Sequence, residues 1–418
     1  MKNSALNIIF FNLLLIILLI DFPVKAEEVN SYDSVIVSLK KSLSDIKRPN
    51  KLMYREGILR FKKVRNNAYL IPLNEYENKE KQIEELLQSD LFDLIEPNYK
   101  LTLDRIYTKR NYNKINIIQE DKEITTNDTA FSYQYYLKQI KSTTAWATTV
   151  GEETSVAILD TGVDINHPDL AGKVPYDVQL DALDQIDLIG HGTQVAGIIA
   201  ANTNNYKGIA GIAWNAKIIP IGITSEDGEA SISTVISALE KAYENGAKIV
   251  QISLGTNQYS KFLEDAIKSA QNRGILIVST AGNSGTNEIR YPAAFDGVIG
   301  VGAVDRENKI ESYSTTGNHV TLVAPGSFIY TTSPDSSYAT VSGTSFAAPQ
   351  VTGAATLVWS IAPHLSSGEV REILIQSADE LGEEGNDIVY GYGLLNIEAA
   401  VSIASKIAAG TSVATIND

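Results

Sequence analysis

Three glycine-flanked stretches carry residues that could do chemistry together: "ILDTG" with Asp160, "GHGTQVAGIIAA" with His191, and "SGTSFAAPQVTGAA" with Ser345. A serine hydroxyl attacks an acyl carbon only if a base takes its proton, and that base works best when a carboxylate orients it and balances its charge. Asp160, His191 and Ser345 are the three side-chain types this needs. Each alone has a blander reading: an Asp after a strand caps a turn, a His beside glycines is structural, and a Ser at a helix start is an N-cap. The chain has four histidines, and His167 in "NHPDL", His319 in "TTGNHV" and His364 in "APHLSSGE" all sit in turn or loop sequence. His191, between two glycines, is the best candidate for the base. A fourth stretch, "ILIVSTAGNSG", ends in Ala-Gly-Asn, so that the Asn283 amide could donate to an oxygen made negative by attack from Ser345. The backbone N–H of Ser345 at its helix start would be the second donor.

These groups must be positioned by regular elements. From Thr154 onward, short β-branched runs alternate with amphipathic helices: "SVAILD", "KIIPIGI", "KIVQISLG", "ILIVSTAGN" and "VIGVGAV" read as strands. "SISTVISALEKAYENG" reads as a helix with Ile232, Val235, Ile236, Leu239 and Tyr243 on one face. Continuously apolar strands are covered on both sides, so the fold class is α/β, a doubly wound parallel sheet. Reactive groups in such a sheet belong at the carboxyl ends of the strands. In the helix after Ser345, Ala347 and Ala348 allow close packing, and Pro349 is expected in the first turn.

The remainder of the chain divides by composition. An apolar run from Ile8 to Ile20, followed by "DFPVKA", reads as a signal peptide over residues 1–26, and secretion follows; the competing reading is an uncleaved anchor. No wall-sorting motif or C-terminal anchor is recognised. Residues 27–104 read as a small α+β unit with strands in "YDSVIVSL", "GILRF" and "AYLIPL", a helix in "KEKQIEELLQS" and a closing "FDLIEPNYKLTL". A unit with so little core is expected to dock on something larger. Residues 105–130, rich in Asn, Lys and Thr, read as an exposed linker, and 131–418 as the large domain. The absence of cysteine excludes a disulfide scaffold. The stretch 27–110 is net +2, whereas residues 111–418 carry −18, which argues against nucleic acid as a partner.

"DTGVDINHPDL", "GHGTQVAG", "AGN" and "GTSFAAPQVTG" together resemble the four signatures of the subtilisin-like serine proteases (subtilases), in the order Asp, His, Ser. The likeness runs from about Phe131 to Ile403; Gln194 departs from the second histidine that many members carry there. The resemblance implies a serine endopeptidase in which Asp160 orients His191, His191 is general base and then acid, Ser345 is the nucleophile and Asn283 stabilises the oxyanion. It implies that Ser253, Leu254 and Gly255 pair with an extended substrate, and that Thr280, Ala281 and Gly282 form the facing wall of the P1 pocket. It implies an inhibitory, fold-assisting propeptide, removed by self-cleavage in the linker, with "TKRN" (Lys109, Arg110) a plausible cut. "NDTAFSYQYYLKQI" resembles the start of calcium-binding members, which makes Asp128, Asp169 and Asn204 candidate Ca²⁺ ligands. Asp128 also reads as a linker residue and Asn204 as a turn. No organic cofactor is implied, and the expected state is a monomer.

With a signal, a propeptide and no large appendage, the chain also resembles the lantibiotic leader peptidases, so the expected partner is a lantibiotic precursor cut after Arg. Two local features disagree about this. Asp177, Asp181, Asp184 and Asp187 before His191 would favour a basic peptide, or form a solvated loop. Arg290 in "NEIRYP" would repel a basic side chain if it faces inward, or is a rim residue if it faces out. A protease of broad specificity and an inactive binding protein are the alternative functions.

Overall fold

Alternating apolar residues along single strands decide the architecture of the large unit. In β6 (Ser155–Asp160), Val156 and Ile158 belong to one buried cluster, and Ala157 and Leu159 to another on the opposite face. β11 (Leu276–Thr280) divides in the same way, with Leu276 and Val278 on the first face and Ile277 on the second. Both faces therefore need a helical cover, and every buried aliphatic side chain contributes roughly 1.5–3 kcal/mol.

The computed structural model describes residues 32–40, 62–65, 67–73, 78–88, 91–103, 123–152 and 154–410. The expected signal peptide, the "GILRF" strand, and the linker up to residue 122 with Lys109 and Arg110 lie outside the described residues. The first unit comprises β1 (Ser34–Leu39), β2 (Lys62–Arg65), β3 (Ala68–Pro72), α1 (Lys79–Gln88), β4 (Phe92–Pro97) and β5 (Lys100–Leu103). The second begins with α2 (Tyr135–Gln139) and α3 (Ser142–Ala145), then β6, α4 (Ala182–Gln185), α5 (His191–Ala200), β7 (Lys217–Gly222), β8 (Glu229–Ser231) and α6 (Ile232–Glu244). It continues with β9 (Ile249–Ile252), β10 (Leu254–Gly255), α7 (Lys261–Asn272), β11, β12 (Ile299–Val304), β13 (Leu322–Pro325), β14 (Ile329–Ser333) and β15 (Ser337–Val341). α8 (Thr344–Ile361), α9 (Ser367–Gln376) and α10 (Ile397–Ala408) complete it.

Six parallel strands form the central sheet in the order β13-β12-β11-β9-β6-β7, and helices α6 and α7 on one face and α5, α8 and α10 on the other supply the two buried clusters. The expected α/β fold with a parallel sheet is therefore found. Two details differ from the sequence reading. Tyr243 is 44% exposed, with the Arg273 guanidinium 4.3 Å above its ring. Pro349 lies inside α8, past the first turn, where it withholds the N–H that would bond the Ser345 carbonyl.

β1–β4 form an antiparallel sheet in the order β2-β3-β1-β4. One face packs Val35, Val37, Leu39 and Ile71 against Leu86 of α1. Ile36 and Val64 instead join the buried cluster that contains α6 and α7 residues of the large unit. Alternation along β1 thus gives the small unit half a core of its own and half a borrowed one.

The "IEPNY" turn fastens this contact. The Glu96 carboxylate accepts from Ser260 Oγ at 2.7 Å and from the backbone N–H of Lys261 at 3.0 Å and Phe262 at 3.3 Å, capping α7 from another unit. Asn98 Oδ1 accepts from Ser233 N at 2.9 Å in the first turn of α6. The chain then enters β5, which lies between β10 and β8 in a three-stranded antiparallel sheet. Residues 123–130 correct the expectation of an exposed linker at their end: Asp128 and Ala130 are buried, and Ile124 N donates to Thr143 O at 2.9 Å.

Candidate functional site

β6 ends at Asp160, and its carboxylate accepts from His191 Nδ1 through both oxygens, at 2.8 and 2.9 Å. Both side chains are buried, at 1% and 0% exposure. A His whose Nδ1–H donates a hydrogen bond to a carboxylate keeps the lone pair on Nε2, which is the form a general base requires. His191 Nε2 is buried with no hydrogen-bond partner among the described residues. His191 is the first residue of α5, and its ring stands 5.2 Å from that of Phe346, the neighbour of Ser345 in the first turn of α8.

Close approach of β6 to α5 depends on small residues. A Cβ at Gly192 would fall 2.0 Å from the Gly162 carbonyl, so any side chain there would push His191 off Asp160. Asp187, a residue the sequence reading left in an acidic run, ties the two elements together. One of its oxygens accepts from Thr161 Oγ1 at 2.7 Å and Gly190 N at 2.6 Å, the other from Thr193 N at 2.8 Å and Thr193 Oγ1 at 2.7 Å. An acid just ahead of a helix start is the signal that could have found it. Asp184 is also turned inward, accepting from Gly222 N and Lys241 Nζ, whereas Asp177 and Asp181 are exposed. The run is thus divided: Asp184 and Asp187 are taken up by backbone N–H groups and Lys241, while Asp177 and Asp181 remain in solvent.

Asn283 follows β11. Its Oδ1 accepts from Thr344 N at 2.9 Å and from Thr344 Oγ1 at 2.9 Å, which caps α8 and fixes the amide orientation, since a backbone N–H can only donate. The Nδ2 end is buried and has no partner among the described residues. The site therefore holds an acceptor at His191 Nε2 and a donor at Asn283 Nδ2, with the fully buried Ser345 at the positive end of an 18-residue helix. Thr280 Oγ1 bonds Thr344 Oγ1, an anchor the sequence reading had placed only in the pocket wall.

Leu254 and Gly255 form β10, with Ser253 just before it, and β5 occupies this edge with Leu103 opposite Leu254 and Thr102 opposite Gly255. Ala281 is buried, its carbonyl 3.1 Å from His319 Nε2, and Gly282 has φ 110°. His319 is held below its ordinary value by burial, with the Arg290 charge acting in the same direction. His167 bonds Ser337 O and Asp169 N, and His364 is exposed; neither faces Ser345. Arg290 is half-buried and faces inward, between Gly255 and Gly282.

The candidate calcium ligands converge on the loop 202–209. Asp128 accepts from Asn204 N and Asn205 N, and Asp169 accepts from Asn205 Nδ2, Ile209 N and Tyr338 Oη. Burial raises the Asp128 carboxyl above its ordinary value, with the Asp169 charge adding to it. Two buried carboxylates and the Asn204 amide at one loop are the kind of oxygen donors a hard cation takes, although among the described residues no group of three or more acidic or histidine side chains gathers there. Asn204 contributes Oδ1, which accepts from Asn127 N at 3.3 Å.

Residues 151–393 match the family model described as "Subtilase family". Thermitase of Thermoactinomyces vulgaris is 39% identical over 281 residues, covering 66% of this chain and 99% of thermitase. A thermophilic serine proteinase of Bacillus sp. (strain AK1) is 39% identical over 282 residues, 66% of this chain and 69% of the relative. Subtilisin BL of Lederbergia lenta is 41% identical over 255 residues, 60% and 91% of the two chains.

Proposed function

The chain belongs to the subtilase family and is a serine endopeptidase, and from that premise we propose that it works through Asp160, His191, Ser345 and Asn283. Ser345 Oγ attacks the peptide carbonyl while His191 Nε2 takes its proton. Asp160 holds the ring in the required tautomer and balances the imidazolium. The negative oxygen is met by Asn283 Nδ2 and by the Ser345 N–H at the start of α8. His191 then returns the proton to the leaving amine, and water repeats the sequence on the acyl-enzyme. The observation that carries this reading is the pair of buried open polar atoms, the acceptor His191 Nε2 and the donor Asn283 Nδ2, each on a side chain whose other polar atom is fixed by Asp160 or by Thr344. Ser345→Ala tests it: in the purified variant, peptide cleavage falls by at least about 10⁴-fold, and the full chain stays uncut. Processing of the variant in a protease-free host would contradict self-maturation.

Residues 27–104 act as an inhibitory propeptide, since β5 fills the edge that an extended substrate would use. Asp128 and Asp169, with Asn204, hold a structural Ca²⁺ that offsets their mutual repulsion. Residues 1–26 direct export, which the recovery of the chain from culture medium would test. For the natural substrate, removal of the leader from a lantibiotic precursor and broad digestion of proteins are the two readings. The inward Arg290 favours a selective enzyme, although it opposes cleavage after Arg. Digestion of casein alongside a leader peptide separates the two.

A further inference from the structure

We propose that Arg290 makes this enzyme select a carboxylate side chain in the residue just before the cleaved bond, and that its own maturation cut is Asp104–Arg105. The inference rests on the reading of Ser345 as nucleophile. Thr256 and Tyr291 exchange backbone hydrogen bonds, Thr256 N to Tyr291 O at 2.9 Å and Tyr291 N to Thr256 O at 2.8 Å, and so seat Arg290 beside Gly255. A Cβ at Gly255 would lie 3.0 Å from Arg290 Nε and 3.2 Å from Nη2; one at Gly282 would lie 2.9 Å from Arg290 Cγ and 3.2 Å from Nε. The guanidinium thus lies in the slot between the β10 edge and the segment leading to Asn283, which only two glycines leave wide enough to hold it.

Strand register says which residue of a bound peptide meets this slot. Ile252 is paired with Ser279, so Ser253 lies level with Thr280, whose hydroxyl bonds that of Thr344, the neighbour of Ser345. A peptide residue opposite Ser253 is therefore the one that presents its carbonyl to the nucleophile. β5 shows the register of an extended chain on this edge, with Thr102 opposite Gly255 and Leu103 opposite Leu254. A peptide in that register has its next residue opposite Ser253, with its side chain on the face of the residue opposite Gly255, where Arg290 lies. In this sequence the residue after Leu103 is Asp104, followed by Arg105; both lie outside the described residues. A planar, permanently charged guanidinium matches a carboxylate through two parallel hydrogen bonds and repels Lys or Arg.

In the maturation cut, Ser345 Oγ bonds to the Asp104 carbonyl carbon and the bond to the Arg105 nitrogen breaks. The proton leaves on the new Arg105 amine, and water then releases the Asp104 carboxylate.

The test is a peptide library varied at the residue before the cut, with N-terminal sequencing of the mature enzyme from the full chain. The wild type is expected to prefer Asp or Glu over Ala by about 10²-fold in kcat/KM, and the mature chain to begin at Arg105. In Arg290→Gln the acid-to-alanine ratio falls to about 1, and in Arg290→Glu it inverts in favour of Lys and Arg. Each ratio is measured on one preparation and is independent of the fraction folded. A wild-type preference for Arg or Lys, an acid preference unchanged in Arg290→Gln, or a mature chain cut after Lys109 or Arg110 overturns the inference and leaves the nucleophile reading standing. Cleavage surviving in Ser345→Ala overturns that reading itself.

Discussion

The end of the sheet that carries Asp160, His191 and Ser345 and the edge formed by β10 and β8 are built on different terms. The first is assembled within one unit. β6 ends at Asp160, α5 begins at His191, α8 begins one residue before Ser345, and Asp187 and Asn283 bond the junctions with buried hydrogen bonds. The second is shared. β10 and β8 have their three-stranded sheet completed by β5 of the small unit, and Glu96 and Asn98 cap α7 and α6 from the same side. On the proposed function, chemistry that needs sub-ångström placement is thus lodged in a core. On the same reading, selectivity and control fall to an edge that the small unit's β5 occupies.

If that division is right, changes at the first region cost more than changes at the second. Asp160→Asn leaves His191 with the wrong tautomer and should lower kcat by about 10⁴-fold, measured on a short peptide. Asn283→Ala removes one oxyanion donor and should cost on the order of 10²–10³ in kcat with little change in KM; an equal loss in both would mean that it binds the ground state. At the shared edge, Glu96→Ala removes a cap worth about 1 kcal/mol. The cleaved N-terminal segment should let go about fivefold more readily, seen as an earlier onset of activity with the rate of the cut itself little altered.

The smallest effect is expected away from both regions. Burial holds Asp128 above its ordinary 3.8, so the native chain keeps a proton there that the unfolded chain has already lost. Its contribution to stability therefore falls as pH rises past 3.8 and through the raised native value. Calcium should reverse this, raising the thermal midpoint at neutral pH by a few degrees, and Asp128→Asn should abolish that response.

The comparison also separates what could be read in the sequence. Asp160, His191, Asn283 and Ser345 could be singled out as candidates because each stands at a strand end or helix start beside small residues, a pattern visible without a fold. The strands of the central sheet from β6 to β12 were legible for the same reason. The β14–β15 hairpin was not read, although "YTTSPDSSYATV" alternates around a turn and places Thr331 and Thr332 on α5 carbonyls. Asp187 was misread because its partners, Thr161 and Thr193, come together only after β6 and α5 pack. The facing of Arg290 was left open because it turns on one backbone pair between Thr256 and Tyr291, about which side-chain types say nothing.

The central claim, that Ser345 is the nucleophile activated by His191, is met most directly by covalent labelling of the mature enzyme with a serine-reactive phosphonate and peptide mapping of the product. The account predicts one label per chain, on Ser345, lost in His191→Ala. A label on another serine, or labelling that persists undiminished without His191, would contradict it.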